Sequence, residues 1–118
     1  IYYMDQGCRI YYFDTKSGKK KQVCSIPNGD GNFSGVIGKN IYYYCYDKQA
    51  TYCYNLSSKK TMKLIDKNVT ILTTKGKYMV VECFLSQKEF EKTGKTNEIA
   101  IMKKSGKGYK KVIRFYVS

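Results

Sequence analysis

The sequence predicts an all-β protein of about three four-stranded antiparallel blades that form part of a β-propeller. Three observations carry this prediction: apolar and aromatic runs of strand length, turn signals about every 8 to 12 residues, and a threefold internal repeat. No stretch has the length and periodicity of a long amphipathic helix. The polar segment 86–95 is predicted to be a long hairpin loop with room for one helical turn.

Eleven short strands are predicted along the chain. Gly38 and Gly76 mark two tight connections in which a permissive backbone is useful. The predicted strands are 1–5, 9–15, 19–26, 32–38, 41–47, 51–57, 60–65, 69–74, 78–86, 97–104 and 109–117.

The internal repeat divides the 118 residues into segments 1–40, 41–77 and 78–118, which begin at Ile1, Ile41 and Tyr78. Two repeats hold four strands each, and the third ends after three. Four strands in roughly 40 residues is the spacing of propeller blades, so the whole chain is interpreted as one propeller segment.

The stretch GKNIYYYCYD at 38–47 indicates how the sheets are covered. A strand with one face in water should alternate apolar and polar residues, and this one does not. Both of its faces must therefore be hidden, as they are between adjacent blades. We expect Ile41 and Tyr43 to be buried there. An antiparallel β-sandwich of the same hairpins is the alternative architecture.

The residues Gly38 to Tyr44, Ile10 to Asp14 and Tyr52 to Leu56 carry a family resemblance. Their G-x-x-I-Y-Y opening and short tyrosine-rich second strands resemble an uncharacterised bacterial propeller family, whose blades are similar to the YWTD type of the low-density-lipoprotein-receptor ectodomain. The YWTD tetrapeptide is replaced by IYYMD and IYYYC. The resemblance implies export and a non-catalytic binding or scaffold role towards a protein or carbohydrate, and it transfers no catalytic residue.

The charge is strongly basic, with 22 lysines and arginines against 9 acidic residues and a net charge of +13. All the basic residues except Arg9 and Arg114 are lysines, many of them in predicted turns. A solvated surface explains them, and a Lys/Tyr-rich binder of a polyanion, either nucleic acid or an anionic cell-surface polymer, is the alternative. Tyr109 and the run 114–116 come nearest to a base-stacking surface. Nucleic acid is not favoured, because no RNA-binding signature is present.

Ordinary catalytic triads are excluded because the chain has no histidine. Most acidic residues are assigned to turns or solvated positions, Glu98 among them. Glu82 is the exception, because it lies between Val81 and Cys83 in an apolar strand. It is expected to point to a channel or to pair with a lysine. We therefore predict no enzyme and assign no catalytic, cofactor-binding or metal-binding residue; the binding residues stay unassigned.

Two weaker motifs are interpreted as structural. The loop 27–32, PNGDGN, has the look of a calcium loop but lacks most of the necessary carboxylates, so a turn is predicted. Asn32, Asn55 and Asn68 begin N-x-S/T sequons, which matter only in a glycosylating secretory pathway.

The five cysteines are an odd number, so at least one thiol is unpaired within the chain. They are predicted to be small buried hydrophobic residues, without the spacing of a zinc site. The alternative is one disulfide between Cys45 and Cys53, which face each other if residues 48–50 form a three-residue hairpin loop.

The chain starts inside a strand-like run, has no signal peptide and has no apolar run near 18 residues. The strand-like start leads us to expect a segment of a longer protein. The family resemblance implies an extracellular or cell-surface location, with the cytoplasm as the alternative. Two terminal sheet faces are expected to need cover from further blades or from self-association. They are drawn from Tyr2, Tyr3, Tyr11 and Tyr12 at one end and from Val80, Val81, Ile99 and Ile101 at the other.

Overall fold

Eleven β-strands and one α-helix form the computed structural model, which describes residues 1–118. The strands are β1 (Tyr2–Met4), β2 (Arg9–Phe13), β3 (Lys20–Ser25), β4 (Gly31–Ile37), β5 (Asn40–Cys45), β6 (Ala50–Asn55), β7 (Thr61–Ile65), β8 (Asn68–Lys75), β9 (Tyr78–Phe84), β10 (Asn97–Lys103) and β11 (Lys110–Phe115). Each predicted strand is present, with its bounds within two residues of the expectation.

The strands form three separate antiparallel sheets, which confirms the all-β prediction. The first sheet contains β1 to β3, the second β4 to β7 and the third β8 to β11. Within each sheet, spatial neighbours are also neighbours in sequence. Short hairpins and connections can therefore build every sheet.

The sheets do not coincide with the sequence repeats. β4 ends the first repeat, but it pairs with β5 of the second repeat, from Gly31 opposite Cys45 to Ile37 opposite Asn40. The second sheet thus begins one strand earlier than its repeat, and the first sheet has three strands. The period of a sequence repeat does not show at which strand each sheet begins. The pairing of the strands is needed to show it.

The second sheet lies between the other two and shares a core with each. The core towards the first sheet contains Cys8, Ile10, Ile26, Ile41, Tyr43 and Cys45. The core towards the third sheet contains Tyr42, Val69, Met79, Val81, Cys83, Ala100 and Met102. Two separate cores distinguish this arrangement from the single core of a two-sheet sandwich.

Strand β5 explains the uninterrupted apolar run in the sequence. All five residues from Ile41 to Cys45 are buried. Successive side chains of a strand point to opposite faces. Ile41 and Tyr43 accordingly pack towards the first sheet, while Tyr42 packs towards the third. The expected burial of Ile41 and Tyr43 is confirmed.

The segment expected to be a long loop contains the helix α1 (Gln87–Thr93). The Ser86 side chain accepts a hydrogen bond from the Glu89 backbone N–H, so it caps the amino end. Gly94 ends the helix in the left-handed conformation, at φ 72°. No helix in the structure is long and apolar enough to cross a membrane.

Candidate functional site

A row of polar side chains crosses the third sheet on the face that packs against the second. Glu98 of β10 lies opposite Cys83 of β9 and opposite Arg114 of β11. Residues directly opposite each other in antiparallel strands have side chains on the same face. The strand register therefore brings a thiol, a carboxylate and a guanidinium together between two sheets.

Glu98 is the buried centre of this row, with only 3% of its surface exposed. One carboxylate oxygen accepts a hydrogen bond from Arg114 Nε at 2.8 Å, and the other accepts one from the Tyr109 hydroxyl. Burial by itself raises the pKa of Glu98, but the hydrogen bonds from Tyr109 and Arg114 outweigh it and the pKa is lowered. Glu98 is thus held as a fully paired carboxylate.

The neighbouring groups are tied into the same network. Arg114 Nη2 also lies 3.5 Å from a carboxylate oxygen of Glu89, at the start of α1. Lys67 Nζ lies 4.8 Å from the centre of the Tyr109 ring, a cation–π contact. Burial, together with the hydrogen bond to Glu98, raises the pKa of Tyr109, so this phenol stays protonated. Burial likewise raises the pKa of the Cys83 thiol, which disfavours the nucleophilic thiolate.

A cavity of about 400 Å³ lies beside this network. The β5–β6 hairpin, the β7–β8 connection and the segment leading into α1 enclose it. Its walls are Tyr44, Gln49, Asp66, Lys67, Asn68, Cys83, Phe84, Leu85, Ser86 and Glu89. Its volume and mixed polar and aromatic walls suit a small polar molecule. Its two carboxylates already have partners, since Asp66 pairs with Lys63 at 3.1 Å and Glu89 with Arg114.

Glu82, the acid singled out from the sequence, lies on the opposite face of the third sheet. Its carboxylate accepts a hydrogen bond from Asn97 Nδ2 at 2.7 Å, so its partner is an amide and not the expected lysine. Glu98 was assigned to the turn or solvated acids, and that assignment was wrong. The sequence does carry a signal for the burial of Glu98. In the predicted strand 97–104 it is spaced by two and four residues from Ala100 and Met102, which are buried, so the three side chains lie on one face.

The residues expected to resemble a base-stacking surface are occupied elsewhere. Tyr109 and Arg114 both bind Glu98. The Tyr116 ring stacks on Phe90 of α1, with ring centres 6.2 Å apart. Phe115 is half-buried. Tyr109 and Arg114 are thus committed to the buried network, whereas Tyr116 stays 57% exposed beside Phe90.

The remaining sequence motifs lie in turns and strands. Residues Pro27–Gly29 form a single 3-10 turn, and Asn28 donates a hydrogen bond to Asp47 at 3.0 Å. Of the three sequon residues, Asn32 is exposed, while Asn55 and Asn68 are half-buried. The structure contains no group of three or more cysteine or acidic residues placed to hold a metal ion.

All five cysteines are unpaired; Cys8, Cys45 and Cys83 are buried and the other two are half-buried. The alternative of a Cys45–Cys53 disulfide is wrong for this register. Cys45 lies opposite Ala50 and Tyr42 lies opposite Cys53, so four residues form the hairpin loop. Cys45 consequently packs towards the first sheet and Cys53 towards the third.

The outer face of the first sheet carries a stacked tyrosine pair. Tyr3 lies opposite Tyr11, with ring centres 5.4 Å apart and ring planes 17° apart. In the second sheet Tyr43 lies opposite Tyr52 with nearly the same geometry, 5.9 Å and 22°. Tyr43 is buried in the core against the first sheet and the half-buried Tyr52 packs on that core, whereas Tyr3 and Tyr11 face outwards and are both half-buried.

The outer face of the third sheet is aliphatic. Thr73, Val80 and Ile101 lie across three strands in one row, and Ile99 and Ile113 continue the face beside Glu82. Ile101 is 42% exposed and Ile113 is 58% exposed.

Five of the expected outer residues line the two outer faces: Tyr3, Tyr11, Val80, Ile99 and Ile101. Tyr2 instead packs against the core between the first and second sheets, and Val81 is buried in the core between the second and third. Tyr12 is 41% exposed and its ring lies 5.0 Å from that of Tyr2.

No protein-family model matches this sequence, and a search of curated proteins finds no similar sequence.

Proposed function

We propose that this chain is a non-catalytic binding and scaffold module of a larger bacterial surface or exported protein. Its three sheets act as consecutive blades of an incomplete β-propeller, and further sheets of the same kind cover its two outer faces. The observation that carries the proposal is the repeated tyrosine pair: Tyr43–Tyr52 packs in a core between two sheets, and Tyr3–Tyr11 has nearly the same geometry on a face with no sheet over it.

The way the sheets meet supports the propeller interpretation. The first strand of the second sheet, β4, contacts both β1 and the first strand of the third sheet, β8. Adjacent sheets thus approach through their first strands, as blades do around a central axis. The first sheet has no counterpart of β4, because it begins with the equivalent of β5.

The chemistry of the polar row supports binding over catalysis. A general base needs a carboxylate or imidazole free to take a proton near neutral pH. Glu98 is held ionised by two donors, and Glu82 is bound to Asn97. These groups fix the sheet and do not provide an activated nucleophile or base.

The surface or exported location rests on the family resemblance alone. Five unpaired thiols, three of them buried, fit a reducing compartment at least as well. The cytoplasm therefore remains the alternative location. Thiol counting on protein isolated from its native compartment, unfolded without reductant, would separate the two, because oxidised cysteines would favour export.

The scaffold proposal is tested by blocking each outer face separately. Tyr11→Lys places a charge on the first-sheet face, and Ile101→Lys places one on the third-sheet face. A head-to-tail contact joins two different surfaces. We expect the unmodified chain to associate at micromolar concentration, each variant alone to stay monomeric, and an equal mixture of the two variants to form a 1:1 dimer in analytical ultracentrifugation.

A control variant, Met62→Lys, adds the same charge on an edge strand at a residue that is 72% exposed, and it should associate as the unmodified chain does. A monodisperse wild-type monomer, or two variants that do not complement each other, would overturn the proposal.

A further inference from the structure

Every second turn of the chain lies at one end of the molecule, which we call the lysine end. Consecutive strands alternate in direction, so the turns after β2, β4, β6, β8 and β10 share one end of their sheets. The opposite ends of the three sheets are bonded together. Cys8 Sγ donates to the Gly31 carbonyl at 3.6 Å, and Val69 N donates to Thr51 Oγ1 at 3.2 Å. The lysine ends of the three sheets therefore also lie on one side.

The two ends differ sharply in charge. Counted with one flanking residue on each side, the turns of the lysine end contain one acidic residue, Asp14, and twelve lysines. These lysines are Lys16, Lys19, Lys20, Lys39, Lys59, Lys60, Lys75, Lys77, Lys103, Lys104, Lys107 and Lys110, and all of them are exposed. The turns of the opposite end are balanced. Their basic residues are Arg9, Lys48, Lys67, Lys88, Lys92 and Lys95, and their acidic residues are Asp5, Asp30, Asp47, Asp66, Glu89 and Glu91.

The charge of the lysine end is not compensated within the chain. The ion pairs of the structure involve Arg9, Lys63 and Arg114, and none of the twelve lysines takes part in one. Like charges gathered on one surface repel each other and attract a polyanion from solution. Twelve of the twenty lysines lie in the turns of this end with a single acidic residue, whereas the turns of the opposite end are balanced in charge. This asymmetry indicates a binding surface.

The side chains at this end indicate how a ligand would be recognised. Neither arginine lies there, so fixed bidentate contacts are absent and recognition depends on charge density. The nearby aromatic rings are covered in part by lysines: Lys77 Nζ lies 5.5 Å from the centre of the Tyr78 ring, and Lys20 Nζ lies 5.4 Å from that of Tyr11. The aromatic surface on which nucleic-acid bases could stack is therefore smaller.

We propose that the lysine end binds a linear polymer of phosphate groups through its charge density, without reading bases. The lysines lie on five turns at one end of a molecule that is 48 Å in its longest dimension. A flexible polyanion can therefore meet several turns in one binding event and displace its counterions there.

The test compares two triple variants with equal changes in net charge. Lys39→Gln, Lys77→Gln and Lys104→Gln together neutralise part of the lysine end. Lys48→Gln, Lys88→Gln and Lys92→Gln together neutralise exposed lysines of the opposite end. Binding of fluorescently labelled inorganic polyphosphate is measured by anisotropy over a range of salt concentrations. The protein is kept at nanomolar concentration, below the micromolar range in which association is expected. Melting curves show that both variants are folded.

We expect the lysine-end variant to bind at least about tenfold more weakly at 0.1 M salt. Its slope of log affinity against log salt should fall in magnitude by roughly 2, since each lost phosphate contact contributes about 0.7 on a single-stranded polymer. The opposite-end variant should bind like the unmodified chain. Equal losses in both variants, or no binding by the unmodified chain at low salt, would overturn the proposal. Much tighter binding to oligothymidine with the same number of phosphates would also contradict it, because bases would then be recognised.

Discussion

Two tyrosine pairs in this molecule have almost the same geometry and very different surroundings. Tyr43 and Tyr52 stack inside a core, and Tyr3 and Tyr11 stack on an outer face. The antiparallel register alone places both pairs, since directly opposite residues lie within ring contact. Their burial depends on whether another sheet lies over them. The two pairs therefore share one local structure and differ in whether a second sheet packs over them.

The strongest way to test that comparison is to remove one ring from each pair. Tyr43→Ala should lower the free energy of unfolding by about 3 to 5 kcal/mol, the range for truncation of a large buried aromatic. Tyr3→Ala, in dilute monomer, should cost less than about 1 kcal/mol, because its ring is only partly removed from water. Urea denaturation of both variants measures the difference. Equal losses would mean that the outer pair is as well covered as the inner one.

The inner and outer faces of the third sheet each carry one glutamate in a strand, Glu98 and Glu82, and their contributions to stability should differ. Glu98→Gln removes the carboxylate that binds Arg114 and Tyr109, and we expect a loss of about 1 to 3 kcal/mol. Glu82→Gln on the outer face keeps a group able to accept from Asn97 and should cost under about 0.5 kcal/mol. The lowered pKa of Glu98 also means that its contribution is present above its unfolded pKa and is lost as the pH falls through the lower folded value.

Denaturant unfolding of both glutamine variants at pH 7 and at pH 3 tests this comparison. A Glu98→Gln effect that stays the same at pH 3 would contradict the assignment of Glu98 as an ionised, paired carboxylate.

The smallest expected effect is a fall in the free energy of unfolding at alkaline pH, caused by ionisation of Cys24 and Tyr42. Burial raises the pKa of Cys24 to about 11 and that of Tyr42 to about 12. Raised values favour the protonated forms in the folded state, so their contribution is complete below the unfolded values, 9.0 and 10.0, and is lost above them.

We expect a loss of under about 1 kcal/mol between pH 8 and pH 10 in urea titrations, because partial exposure of Cys24 screens its charge, and a smaller loss in Cys24→Val. A free energy of unfolding that stays flat up to pH 11 would show that these groups ionise as freely in the folded protein as in the unfolded chain.

Local features of the fold could be predicted from the sequence, and pairing between distant segments could not. All strand bounds follow from apolar runs and turn residues, which act over a few positions. The assignment of β4 to the second sheet depends on its pairing with β5, and a periodic sequence leaves that choice open. The sequence prediction for segment 86–95 is a loop with room for one helical turn, although Ser86, Glu89 and Gly94 carry the start and stop signals of α1.

The polar site was harder to predict because its members are distant in sequence. Cys83, Glu98 and Arg114 meet only through the registers of β9, β10 and β11. Tyr109 and Lys67 join from a turn and from a connection between sheets. The apolar neighbours of Glu82 in its strand single it out, whereas the strand phase of Glu98 is the more informative signal.

The concentration dependence of thermal unfolding tests most directly the claim that the outer faces are uncovered copies of an internal interface. Association that covers these faces stabilises the folded chain by mass action. The melting temperature of the unmodified chain should therefore rise by several degrees between about 1 and 100 μM, and that of Tyr11→Lys should stay constant. A melting temperature that is independent of concentration, in a chain that sediments as a monomer throughout, would contradict the account.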